Sequence, residues 1–116
     1  MEKENTVIIE VPAHSGIVLI ANERNEQLYK HGKSVEYDRQ VNSLRQLAGC
    51  AYAIIGSEPQ SFPGDQSDEF INKVLAKPYR ERIKIAGAML AAELDRISNM
   101  TDEEVEQEMD FFNPTF

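Results

Sequence analysis

The chain holds no tryptophan, one cysteine and two histidines in 116 residues. A lone cysteine, Cys50, closes no internal disulfide. Its setting in the apolar stretch 47–55 marks it as a small buried hydrophobe, with a reactive thiol as the lesser alternative. His14 and His31 both stand beside helix ends, where His31 suits the negative end of a helix dipole. No Ser-His-Asp or Cys-His arrangement has support in the pattern. Basic residues are scarce too: 12 Lys and Arg against 20 Asp and Glu give a formal net charge of −8. Such a surface repels a polyanion at long range and argues against a general grip on nucleic-acid polymer. A small nucleotide needs only a few well-placed cations and is not excluded. No run approaches the roughly 20 apolar residues of a membrane span. The charged opening MEKENT does not read as a signal peptide. The expectation is a soluble, cytoplasmic protein. Glycine-rich phosphate loops, zinc-ligand cysteine pairs, nucleophile elbows and internal repeats are all missing.

What is present is an ordinary globular composition, 41% hydrophobic and 28% charged, patterned for helices. The expected fold is all-α, a small bundle of about four or five helices. It is read as a single domain: an arm over 1–12, a helical core over 13–98, and an acidic helix with a tail over 99–116. The β-branched run TVIIEV at 6–11 reads either as an edge strand completed by another subunit or as an extended arm. A first helix starts near residues 13–15 and stops at Gly32, with Ile17, Ile20, Ala21, Arg24 and Leu28 on one face. Residues 33–41 read as a polar connection. Asn42 or Ser43 caps a second helix that buries Leu44, Leu47, Ala48, Ala51 and Ile55 and stops at Gly56. The stretch SEPQSFPGDQ is loop. Ser67 or Asp68 caps a short helix to about Leu75.

The best-defined element is a helix over 78–97, opened by Pro78. Ile83, Ala86, Gly87, Leu90, Leu94 and Ile97 trace its apolar stripe. Its small residues, Gly87 among them, suit close approach of another helix. Thr101 and Glu104 form a capping box that opens an acidic helix to about Asp110. The aromatic tail FFNPTF docks on the body or on a neighbour.

The residues able to do chemistry are carboxylates and a basic cluster. Glu23 and Glu26, three apart, share one side of the first helix and can hold Mg²⁺, which prefers hard oxygen ligands. Glu36 and Asp38 lie just beyond. Lys77, Arg80 and Arg82 gather at the start of the 78–97 helix, an end whose dipole disfavours cations. A bound phosphate, a partner's carboxylate, or pairing with Asp68, Glu69 or Glu81 each explains them. Glu93 lies near the other end, about 20 Å away along the axis. One small nucleotide does not span both ends, and the Glu93 end suits metal chemistry better.

The stretches NERNEQLYKHGKSVEYD and KPYRERIKIAGAMLAAELDRI resemble the opening and closing motifs of the phage and bacterial dATP/dGTP diphosphohydrolase-like family. The first carries E-R-x-x-Q, a glycine and E-x-D; the second carries K-P, an arginine, A-G-A, A-E and a final arginine. The resemblance implies an all-α domain distantly similar to MazG-like nucleoside triphosphate pyrophosphohydrolases, using Mg²⁺ on purine nucleotides. Carried over, it implies Glu23, Glu26 and Glu93 as metal ligands and Asp38 and Glu36 as catalytic carboxylates. Arg24, Gln27, Lys77 and Arg82 are then substrate-binding residues, and Arg96 matches the closing arginine. The E-x-x-D pair that MazG-like enzymes place on the next helix is absent from LRQLAGCAYAII. A non-catalytic protein that sequesters a nucleotide, cyclic and signalling forms included, or a protein-interaction subunit is therefore the alternative. In both cases a homo-oligomer, a dimer by preference, is expected.

Overall fold

A computed structural model describes residues 6–29, 32, 35–42, 45–64 and 66–108. Six α-helices are described: α1 (Gly16–Tyr29), α2 (Val35–Val41), α3 (Gln46–Gly56), α4 (Asp68–Leu75), α5 (Tyr79–Ile97) and α6 (Asp102–Gln107). A 3₁₀ turn, Pro59–Ser61, sits in the proline-rich loop before α4. The all-α class read from the pattern is the observed one, and no described residue is in a strand. No described helix is long and apolar enough to cross a membrane. His31, Ser43, Leu44, Asp110 and the tail FFNPTF lie outside the described residues.

Local chemistry sets several helix starts. Ser67 Oγ accepts from the Phe70 amide at 3.1 Å and starts α4. Thr101 and Glu104 form the reciprocal capping box of α6, at 3.1 and 2.9 Å, which satisfies backbone amides that the helix leaves without partners. Pro78 is the residue before α5, so its missing N–H removes no helical bond. Gly32 has φ +69°, the left-handed conformation that glycine enters without strain. Residues 6–11 are neither helix nor strand within the single chain.

The largest departure from the sequence reading is α2, where a polar connection was expected. Its sequence VEYDRQV has no apolar period, and long-range contacts hold it in place. Asp38 is almost fully buried at 1% exposure. Arg39 Nε donates to the Arg96 carbonyl at 3.5 Å.

The core forms where α3 crosses α5. Cys50, Ala51, Ala53, Ile54, Phe62, Val74 and Ala86 are buried together, and full burial of a side chain the size of Ile54 contributes about 2–3 kcal/mol. The two helices run antiparallel. Arg82, at the start of α5, donates through Nη1 to the Ile54 carbonyl at 3.0 Å and to Ser57 Oγ, capping the end of α3.

The buried face of α5 is Ala86, Ala88, Ala92 and Arg96, whereas Leu90 and Leu94 of the expected stripe stay exposed. Ile55 of α3 and Ile17 of α1 are exposed as well. Alanine lets α3 and α5 approach closely, so small residues face inward and the larger ones are left outside.

Gly87 answers to α1. A Cβ there would lie 2.7 Å from Ile20 Cδ1 and 2.9 Å from Cγ1. Gly87→Val is therefore expected to destabilise the fold by about 1–3 kcal/mol through overpacking. The check is a lowered urea midpoint, partly restored when Ile20→Ala is added.

Candidate functional site

Helices α1, α2, α3, α4 and α5 enclose an open cleft of about 800 Å³. Leu47 and Cys50 of α3, with Ile85, Met89 and Ala92 of α5, give it apolar walls. Glu23, Glu26 and Gln27 come from α1, a helix that packs on α5, and face the cleft because they lie three and four residues apart. Lys73, on α4, and Lys77, just after it, supply cations, and Glu81 adds a carboxylate. Tyr37, Asp38, Asn42 and Gln46 contribute from α2 and the start of α3.

Asp38 is fixed from two sides. Its Oδ1 accepts from Asn42 Nδ2 at 2.8 Å, and its Oδ2 stands 3.9 Å from Arg24 Nη2. Arg24 is 7% exposed and also reaches Asp95 Oδ2 at 3.3 Å. This arginine ties α1 to α2 and α5 and aligns the carboxylates on either side of it. Burial raises the Glu23 carboxyl above its ordinary range, and the like charges of Glu26 and Glu81 add to this. Lys84 and Lys77 act in the opposite direction.

Six sequence-nominated residues thus share one cleft: Glu23, Arg24, Glu26, Gln27, Asp38 and Lys77. The other three lie elsewhere. Glu36 is exposed and accepts from Gln40 at 3.4 Å. Once residues 35–41 are helical, positions two apart diverge by about 200°, so Glu36 cannot follow Asp38 inward. Arg82 is engaged at the end of α3. Glu93 makes two 2.8 Å bonds with Arg96 instead of lining the cleft. The order of preference between the two ends of α5 is therefore reversed, since Lys77 joins Glu23 and Glu93 does not.

Sequence reasoning passed over Lys73, Glu81, Asn42 and Gln46. Glu81 carried a signal, lying four residues after Lys77. Gln46 is 6% exposed, and a polar side chain in an apolar helix was the cue available for it.

Mg²⁺ is commonly held by one or two carboxylates together with waters and substrate phosphates. Glu23 and Glu26 fit that use, because their mutual repulsion is relieved by a cation. Among the described residues, no three His, Cys, Asp or Glu side chains form a ready metal cage. In comparison with known protein families, curated proteins and solved structures, the chain finds no match.

Proposed function

We propose that this cleft binds a purine nucleoside triphosphate with Mg²⁺ and hydrolyses it to the monophosphate and pyrophosphate. One observation carries the reading: Glu23, Arg24, Glu26, Gln27 and Asp38 of the opening motif line a single cavity with Lys77, which lies far along the chain from them. The resemblance to dATP/dGTP diphosphohydrolase-like proteins gives the substrate class. Glu23 and Glu26 hold the metal, which when bound neutralises triphosphate charge. Lys73 and Lys77, on the rim of the open cleft, take phosphate oxygens and offset their charge. Gln27 orients the substrate, and Asp38, buried against Asn42 and Arg24, is a positioning residue that fixes Arg24 between the α1 carboxylates. Each turnover adds one water across a phosphoanhydride bond.

The test is pyrophosphate release from dATP and dGTP in the presence of Mg²⁺. Release that a chelator abolishes is the expected result. No turnover of any common nucleotide at micromolar protein would refute hydrolysis.

A second reading is supported by the α3 side of the cleft, which offers Gln46, Leu47 and Cys50 and no acid. A protein with that wall sequesters a nucleotide without cleaving it. Tight calorimetric binding that is independent of Mg²⁺, with no product formed, would favour this alternative.

A further inference from the structure

The chain leaves two apolar surfaces uncovered, and they complement each other. The first is the arm. Val7, Ile8 and Ile9 are 78%, 88% and 63% exposed, an unusual display for three consecutive aliphatic residues, which ordinarily find cover. The second is a groove of about 290 Å³ between the starts of α1 and α5, walled by Leu19, Ile20, Ile83 and Tyr79. Farther along α5, beyond the Ile20–Gly87 contact, Leu90 and Leu94 are also exposed. The arm joins α1 beside this groove, yet its aliphatic side chains do not enter it.

Charge identifies the occupant. Of the three cations at the start of α5, Lys77 lines the cleft and Arg82 caps α3. Arg80 is left exposed at the edge of the apolar groove, and no ion pair is found for it among the described residues. It sits on the first turn of the helix, where the dipole disfavours a cation. The arm carries Glu10 next to its aliphatic run, exposed and likewise with no ion pair found among the described residues. An acidic end on an apolar segment matches an apolar groove with a basic edge. The molecule is otherwise acidic, with a net charge of −8, so this edge is an uncommon place for a carboxylate to find a cation. Residues 6–11, laid out extended, reach about 20 Å, long enough to lay Val7, Ile8 and Ile9 across the groove.

We infer that the arm of one copy docks in the α1–α5 groove of a second copy, with Glu10 meeting Arg80 across the interface. Reciprocal exchange of arms closes a two-fold dimer with no free groove. This surface lies apart from the nucleotide cleft, so it stands or falls independently of the proposed hydrolysis.

Sedimentation equilibrium of the full chain at micromolar concentrations is the test. A dimer is expected. Glu10→Arg and Arg80→Glu, both exposed and so expected to fold, should each weaken it roughly tenfold or more. The double charge swap should restore most of the affinity, and Ile8→Asp should abolish association, while circular dichroism stays unchanged in all four. A monomeric wild type would overturn the inference, as an arm folding back within one chain also gives that mass. So would a dimer indifferent to Glu10→Arg and Arg80→Glu, or a charge swap that fails to restore association. Such a dimer would be using another surface.

Discussion

Arg96→Met is expected to destabilise the protein by about 3–5 kcal/mol, the range for removing one partner from a buried ion pair. Arg96 is 3% exposed. It donates to both oxygens of Glu93 at 2.8 Å and to both oxygens of Glu108 at 2.7 Å. Each of those carboxylates is 14% exposed at the side chain, so methionine would leave two poorly solvated negative charges facing each other. A domain of this size has roughly 5–15 kcal/mol in total, and the loss should therefore appear as a large fall in the urea midpoint. Arg45, whose guanidinium also donates to the Val105 carbonyl and lies 3.9 Å from Glu108, keeps part of the docking of α6.

The pH response distinguishes this mechanism from simple loss of packing. Hydrogen bonds from Arg96 lower the Glu108 carboxyl below its ordinary 4.5, and the charges of Arg96 and Arg45 lower it further. In the wild type, the clamp's contribution is therefore full above pH 4.5 and is lost as pH falls through the depressed folded value. Arg96→Met should respond the other way, gaining relative stability on acidification as the stranded Glu108 carboxylate takes up a proton. Denaturation midpoints across the acid range check the crossing of the two curves. Parallel curves would mean that packing alone was lost.

The same arginine shows where sequence reading stopped. Its pairing with Glu93, three residues away on one helix, is local, but the clamp also needs α6 to fold back and deliver Glu108, a contact between residues twelve apart. Some helix ends were legible because caps are local: Ser67, the Thr101 and Glu104 box and Pro78 each act within a few residues. The start of α3 was not: Arg45 stands at its N-cap without a side-chain cap, where Asn42 or Ser43 was expected. The close approach at Gly87 was legible for a similar reason, since a glycine inside a helix calls for an explanation. The helix α2 was not, because VEYDRQV carries no apolar period and depends on Arg24 and Arg96, distant in sequence. The inward face of α5 was also hidden. The expected stripe held one alanine, Ala86, beside Leu90 and Leu94; Ala88 and Ala92, which are buried, lay off it. For the cleft, spacing along α1 brought Glu23, Glu26 and Gln27 together. Knowing whether Asp38 or Glu36 turns inward required knowing that the segment is helical.

Glu23→Gln is expected to lower pyrophosphate release by about 100-fold or more, the scale on which removing a preorganised electrostatic group acts. The substitution keeps the shape and removes the charge, leaving Glu26 to hold the metal alone. Stability should move the opposite way. A carboxyl raised by burial and by Glu26 is one that the fold holds at a disadvantage when charged. With its folded value above its unfolded one, the protonated form favours folding at low pH, and that preference disappears as pH rises through the folded value. At neutral pH the amide removes the disadvantage, so Glu23→Gln should be as stable as the wild type or more so, a stability–activity trade at a working site. The wild-type rate should fall on acidification through the raised Glu23 value, since protonation removes a ligand for the metal. Glu36→Gln, exposed and outside the cleft, should leave activity intact. A Glu23→Gln protein that folds and turns over at the wild-type rate would sink the cleft as the reaction site. Activity lost in Glu36→Gln would move the search to the outer face of α2.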